Sequence, residues 1–169
     1  MRPAPERRAS PPQIDIQMQS PLWEAQPLAT QTVHDAIATA AAELSTTGGE
    51  VCIVLTDDSA IARLNWDWRG IDRPTNVLSF PASGQAGRQE PRLFGDIVIA
   101  YQTLERECET ENRLFLHHLA HLAIHGFLHL SGYDHETDGQ ADEMEALESK
   151  IMSRLNMPDP HVERDLGEV

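Results

Sequence analysis

The sequence has few cysteines and no long apolar run. Its two cysteines, Cys52 and Cys108, lie far apart in the 169 residues and form no CxxC pair. A disulfide framework is therefore not expected, and a reducing cytoplasm is the predicted location. No stretch approaches the roughly 18 uncharged apolar residues that a membrane helix needs, so a membrane is not an expected partner.

Basic residues are also scarce. The chain has 13 Lys and Arg against 27 Asp and Glu, a formal net charge of -14. This balance argues against a protein that coats nucleic acid, because phosphate binding depends on Lys and Arg. The charge is uneven, however, since five arginines share one stretch with few acids, namely Arg63, Arg69, Arg73, Arg88 and Arg92. An acidic protein can still hold a local basic groove.

The length and a hydrophobic content of 40% fit one domain with a sizeable core. The Pro- and Arg-rich residues 1–13 are predicted to form a disordered leader, because they lack an apolar centre. Residues 14–160 form the predicted domain, and residues 161–169 form an acidic tail.

Hydrophobic periodicity predicts four strands and five helices. The strands are expected at 14–18, 51–55, 77–80 and 96–100. A loop is expected at 83–91. The helices are expected at 30–44, from a cap at 57–59 to about 68, at 103–110, at 111–130 and at 138–155. Strands and helices alternate early and helices dominate late, which indicates an α+β domain with a small mixed sheet covered by helices.

The most informative segment places His125 and His129 at i and i+4. On a helix, this spacing stacks both imidazoles on one face, close enough to hold one ion. Gly132 can take a left-handed conformation that ends the helix, and His135 can then supply a third ligand. Three protein ligands leave one tetrahedral position open, as in catalytic zinc sites. We therefore predict one Zn²⁺ per chain at the end of a long central helix, although Ni, Cu or Fe would also suit imidazole.

The same helix carries a ladder of histidines that offers competing ligand sets. A straight helix gives one ion at most two well-angled ligands, which favours the trio that includes His135. For His121 the pattern leaves two interpretations, a hydrogen bond beside the site and simple packing. His117 and His118 are predicted to be solvated.

The pattern HxxxHxxGxxH has the spacing of the metzincin proteases, HExxHxxGxxH. Those enzymes use the Glu as a general base, but this chain has Gly126, which cannot move a proton. This difference counts against peptide hydrolysis. Asp134 is the nearest carboxylate in the motif, and it is either an assisting group or a turn residue.

Several blocks resemble one known family, the YbeY-type rRNA maturation factors. Its signature is similar to HGFLHLSGYDH at 125–135, and its upstream block is similar to LNWDWRGIDRPTNVLSFP at 64–81. Further matches are GDI at 95–97, AHLAIHG at 120–126 and DEMEALESKI at 142–151. The resemblance covers most of the chain from about residue 51 to residue 160.

The resemblance implies a cytoplasmic, metal-dependent endoribonuclease that acts on single-stranded RNA. It implies roles in 16S rRNA 3′-end maturation and ribosome quality control, with the ribosome or ribosomal proteins as partners and no DNA. It places zinc on His125, His129 and His135, and it implicates Arg69 in activity. A zinc peptidase and a non-catalytic ribosome-associated factor with a structural metal remain as alternatives.

The chemistry of a phosphodiester also suits Arg69, because its planar guanidinium offers two parallel donors to a phosphate. The alternative is a surface salt bridge to Asp67 or Asp72. Arg73 is a weaker candidate for phosphate binding. The roles of the other polar and aromatic residues of this block are not decided by the sequence. Asn76 and Ser79 could bind a ligand or satisfy backbone, and the i, i+2 spacing of Trp66 and Trp68 predicts that at least one lies in the core.

Overall fold

A computed structural model of the chain describes residues 10–82 and 93–162. Its four strands are β1 (Gln13–Met18), β2 (Glu50–Thr56), β3 (Val77–Pro81) and β4 (Leu93–Ala100). Its five α-helices are α1 (Ala29–Glu43), α2 (Asp58–Arg69), α3 (Tyr101–Glu111), α4 (Phe115–Leu130) and α5 (Asp138–Arg154). A short 3₁₀ helix, Pro21–Ala25, follows β1.

The strands form one mixed sheet in the order β1-β2-β4-β3. Strands β1, β2 and β4 are parallel to one another, and β3 runs antiparallel to β4 at the edge of the sheet. The centre of the sheet is built from β-branched residues, and Ile53 of β2 pairs with Ile97 of β4 while both are fully buried. The predicted α+β domain with a small mixed sheet is confirmed.

Helix α4 is the central helix of the domain. It is apolar on most sides and packs against α1, α3, α5, β3 and β4. Gly126 allows its close approach to the sheet, since a Cβ at this position would lie 2.8 Å from Cγ2 of Ile97 and 3.1 Å from Oγ of Ser79. The end of α4, which carries the histidine motif, is therefore fixed against the edge of the sheet formed by β3 and β4.

The helix predicted at 111–130 begins four residues later than expected, so its boundary with the helix predicted at 103–110 lies at 112–114 rather than between 110 and 111. Helix α3 ends at Glu111, and α4 begins at Phe115. Asn112 between them has a φ of 52°, a left-handed conformation that asparagine tolerates better than most residues and that ends a helix. The break lets α4 leave α3 at an angle and enter the core. The other predicted elements agree with the structure to within a few residues.

Several predictions fall on residues that the structure does not describe. The loop at 83–91, Arg88 and Arg92 lie outside the described residues, as do most of the leader at 1–13 and of the tail at 161–169. Those boundaries, and that of the domain at 14–160, stay predictions. Among the helices in the described part of the chain, none has both the length and the apolar character needed to span a bilayer.

Candidate metal site and active-site cleft

The end of α4 and the turn after it bring three imidazoles together. Nε2 of His125 and Nε2 of His129 lie 3.1 Å apart, one helical turn from each other. The ring of His135 approaches from the following turn, with ring centroids 5.8 Å from His125 and 5.0 Å from His129. Gly132 makes this turn with the predicted left-handed conformation, at a φ of 99°. One ligand atom from each histidine lies within 4.8 Å of the other two.

The outward-facing nitrogens of the two α4 histidines already have partners. Nδ1 of His125 lies 3.3 Å from Oε1 of Glu148, and Nδ1 of His129 lies 3.1 Å from the carbonyl oxygen of Tyr133. These contacts hold the proton on Nδ1 and leave the Nε2 lone pairs free, as in many histidine metal sites.

The spacing of the donors fits a tetrahedral transition-metal ion. Two ligand atoms with bonds of about 2.0–2.1 Å to a tetrahedral zinc lie about 3.3 Å apart. The 3.1 Å between the Nε2 atoms of His125 and His129 is close to that value. The three imidazoles therefore form a group that can hold a divalent metal ion, and their chemistry suits zinc.

The electrostatics of the site favour a neutral His129 and an ionised Glu148. Burial lowers the pKa of His129, and the nearby His125 and His135 lower it further. Burial alone would raise the pKa of Glu148, but hydrogen bonds from His121 and His125 more than offset this effect and hold the pKa well below its ordinary range. A neutral imidazole keeps the lone pair that a metal needs.

Sequence reasoning missed Glu148. Its side chain is only 2% exposed and lies among apolar residues of α5 that include Met144, Ile151 and Met152. An acid at this position of an apolar stripe was the available signal, because a buried charge requires a partner. The same carboxylate resolves the open question of His121, whose Nε2 lies 3.1 Å from Oε2 of Glu148. His121 therefore belongs to a polar network beside the site.

The prediction of a solvated His118 was wrong. His118 is 6% exposed, and its Nε2 lies 2.9 Å from Oε1 of Glu107. Asn76 donates to the same carboxylate through Nδ2, and its Oδ1 accepts from the backbone N–H of Val77. The Asn76 side chain therefore satisfies a backbone N–H at the start of β3 and joins this strand to α3. Hydrogen bonds from His118 and Asn76 offset the effect of burial and lower the pKa of Glu107.

The three imidazoles open onto a cleft of about 610 Å³ that also contains Arg69. Arg69 is the last residue of α2 and is exposed. Over residues 10–82 and 93–162 it has no ion pair within 4 Å, so the proposed bridges to Asp67 and Asp72 are absent there. Of the described residues around the cleft, Arg69 alone carries a permanent positive charge.

The side chains of Ser79 and Asp134 also line this cleft. Ser79 donates to the carbonyl oxygen of Gly126 at 3.3 Å, which joins β3 to α4. Asp134 accepts from the backbone N–H of His135 at 2.7 Å, so its carboxylate holds the turn while it faces the cleft. Arg73 is exposed, and its carbonyl oxygen accepts from Nδ2 of the buried Asn65, which fixes the loop after α2.

The prediction that Trp66 or Trp68 lies in the core was wrong. Trp66 is 57% exposed and Trp68 is 71% exposed. The buried residues of α2 are Ile61 and Asn65, so this helix covers the sheet with a narrow stripe that neither tryptophan joins. The ring of Trp68 contacts Phe80 at the outer part of β3, with centroids 5.5 Å apart.

The glycine in place of the metzincin glutamate has a structural cause. A Cβ at Gly126 would contact Cγ2 of Ile97 at 2.8 Å, and Ile97 is fully buried. A longer side chain at this position would require α4 to move away from the sheet. The peptidase mechanism is therefore opposed by packing as well as by the missing base.

The fold and this site define an α+β domain with a candidate metal centre in an open cleft. The family model described as Endoribonuclease YbeY matches residues 15–156. The chain belongs to this family, whose members are hydrolases that cleave RNA internally.

Curated relatives agree with this assignment over most of the chain. An Endoribonuclease YbeY from Nitrobacter winogradskyi is 51% identical over 160 residues, which cover 91% of this chain and 84% of the relative. An Endoribonuclease YbeY from a Bradyrhizobium species is 49% identical, over 91% of this chain and 95% of the relative. A Thermotoga maritima protein solved in solution shares the fold, with a TM-score of 0.53, 24% identity and coverage of 92% of this chain and 99% of that one.

Proposed function

We propose that this protein is a zinc-dependent endoribonuclease that cleaves single-stranded RNA in the maturation of the 16S rRNA 3′ end and in ribosome quality control. One zinc ion would be held by His125, His129 and His135, and Arg69 would be the catalytic residue. The observation that carries this proposal is the convergence of three imidazoles and one unpaired guanidinium on a single open cleft. Membership of the family supports the choice of RNA as substrate.

Each residue has a defined task in this proposal. A divalent ion at the three imidazoles supplies Lewis-acid stabilisation of the negative charge that develops on the phosphate. Glu148 and the carbonyl oxygen of Tyr133 orient the rings of His125 and His129. Arg69 donates two parallel hydrogen bonds to non-bridging phosphate oxygens, and loss of such a donor typically costs about 10²–10³-fold in kcat.

The acidic charge of the protein favours a setting in which another component presents the RNA. Tight binding to bare nucleic acid requires many phosphate contacts from Lys and Arg. The chain carries a net charge of -14, and the described part of the cleft offers one permanent positive charge. We therefore propose that the ribosome or its proteins present the RNA strand, and that the protein alone binds free RNA weakly.

Cleavage of an unstructured RNA by the zinc-loaded protein tests the proposal. We expect wild type to cut, His129→Ala to be nearly inactive, and Arg69→Ala to be strongly impaired while it retains the metal. Arg63→Ala is the matched control, because Arg63 is also exposed on α2 but does not line the described part of the cleft. Equal cutting by all four proteins would identify a contaminating nuclease and contradict the proposal.

The non-catalytic alternative predicts a different result. If the metal only stabilises the fold, chelation lowers the melting temperature, and RNA remains intact at every metal loading, also when assembled ribosomal particles are the substrate. The termini of the products separate two routes of cleavage. A 2′,3′-cyclic phosphate requires attack by the RNA 2′-hydroxyl, whereas a linear phosphate from the first turnover indicates attack by water.

A further inference from the structure

A second cluster of potential metal ligands lies beside the three-histidine site. It consists of His121 on α4, Glu148 on α5 and His161 after α5, with one ligand atom of each within 4.8 Å of the others. Nε2 of His121 lies 3.1 Å from Oε2 of Glu148, and Nε2 of His161 lies 3.5 Å from Oε1. Neither His121 nor His161 belongs to the first trio.

These separations match those of ligands around one ion. Two atoms bonded to a tetrahedral zinc lie about 3.3 Å apart, and each imidazole is near that distance from one carboxylate oxygen of Glu148, His121 from Oε2 and His161 from Oε1. The rings of His121 and His161 lie side by side, with centroids 5.3 Å apart, and their ligand atoms are within 4.8 Å of each other and of a Glu148 oxygen. Their spacing resembles that of His125 and His129 in the first site.

Hydrogen bonding alone explains this cluster incompletely. The buried Nδ1 of His121 has no hydrogen-bond partner among the described residues. Buried polar atoms without partners are rare, so the hydrogen bond between Nε2 and Glu148 leaves this ring only partly satisfied. A buried carboxylate such as Glu148 also requires compensating positive charge, which a divalent ion would supply.

The segment after α5 is held where His161 can reach the carboxylate. Arg113 donates to the carbonyl oxygen of Pro160 at 2.9 Å. Asp159 accepts from the backbone N–H of His161 at 2.9 Å and from Oγ of Ser149 at 2.7 Å. A cavity of about 260 Å³, lined by His121 and His161 among others, adjoins the cluster and has room for a water as a fourth ligand.

We propose that His121, Glu148 and His161 form a second binding site for a zinc-type divalent ion, so that one chain holds two ions. The second ion joins the segment after α5 to α4 and α5. It is also coupled to the first site, because Oε1 of Glu148 contacts Nδ1 of His125. This proposal concerns metal binding and stands independently of the substrate of the enzyme.

Zinc stoichiometry of the full chain tests the proposal. Metal-free protein is dialysed to equilibrium against free zinc, and bound zinc is measured by inductively coupled plasma mass spectrometry. We expect two ions for wild type, one for His161→Gln, one for His129→Ala, and two for the control His34→Gln. His34 is an exposed histidine on α1 outside both clusters.

Glutamine is chosen at position 161 because its amide still donates a hydrogen bond to Glu148 but is a poor zinc ligand. Equal zinc counts for wild type and His161→Gln, or a count of one for wild type, would overturn the proposal. A second readout is hydrogen exchange of residues 157–162, which zinc should slow in wild type and leave unchanged in His161→Gln. Equal slowing in both proteins would contradict the second site, and neither measurement depends on RNA cleavage.

Discussion

Oε1 of Glu148 on α5 lies 3.3 Å from Nδ1 of His125 on α4, across the interface between the two helices. A carboxylate in this position fixes the orientation of the imidazole and raises its basicity. We expect Glu148→Gln to weaken zinc binding at the three-histidine site by about 10–100-fold. Competition with a chelator measures this affinity, and the His161→Gln background removes the second proposed site from the count. Glu145→Gln is the control, because it removes the same charge from an exposed position of α5.

Two substitutions of Arg69 separate the effect of its charge on the cleavage rate from the effect of its planar geometry. Arg69→Ala should lower kcat for RNA by about 10²–10³-fold, as expected for a donor to the transition state. Arg69→Lys keeps the charge but loses the two-pronged guanidinium, so it should recover only part of the rate. Single-turnover cleavage measures both variants, and the zinc content should equal that of wild type. Full recovery by lysine would show that a point charge is sufficient.

Gly126 provides a test of the packing between α4 and the sheet. Alanine is a better helix former than glycine by about 1 kcal/mol. At this position, however, its Cβ would contact Ile97 at 2.8 Å, and overpacking of a core typically costs about 1–3 kcal/mol. We expect Gly126→Ala to lower the free energy of unfolding in a urea titration.

Gly139 on α5 is the matched control for this substitution, because a Cβ there meets nothing within 4 Å. Gly139→Ala should leave stability unchanged or raise it by up to about 1 kcal/mol. Equal stabilisation by both alanines would contradict the close approach of α4 to Ile97.

Because folding lowers the pKa of Glu107, we expect the stability of the protein to depend on pH. Burial alone would raise the pKa of Glu107, but hydrogen bonds from His118 and Asn76 outweigh this effect and lower the pKa in the folded protein below its ordinary value of 4.5. The ionised form is therefore favoured by folding, and its contribution is full above pH 4.5 and is lost as the pH falls through the folded pKa. The difference in unfolding free energy between wild type and Glu107→Gln should shrink below that pH. Urea titrations from pH 7 to pH 3 measure it, and a constant difference would contradict the assignment.

The sequence predicted the elements and the proximity of the three histidines because both have strong local signals. The run VCIVL marks a buried strand, and the left-handed Gly132 explains how His135 returns toward His125 and His129. These features depend on residues that are near one another in the chain. The boundary between α3 and α4 was predicted a few residues too early, because the helical pattern continues on both sides of Asn112 and only its left-handed backbone marks the end of α3.

The residues that sequence reasoning missed or misplaced act through contacts between distant elements. Glu148 meets His125 because α5 packs on α4, and His118 meets Glu107 because α3 packs on α4. The exposure of Trp66 and Trp68 depends on how narrow a stripe α2 presents to the sheet. Such contacts are set by helix packing angles, which residue spacing within one helix does not contain.

The three imidazoles of the first site differ in how firmly the chain holds them. His125 and His129 lie on the central helix and are half-buried, whereas His135 is exposed on the turn after Gly132. Turns of this kind open more readily than helices packed in a core. An ion at this site would therefore exchange with the solvent through opening of residues 132–135, and the lifetime of the complex would be set by that motion. A fast chelator should then remove the metal at a rate that does not depend on chelator concentration.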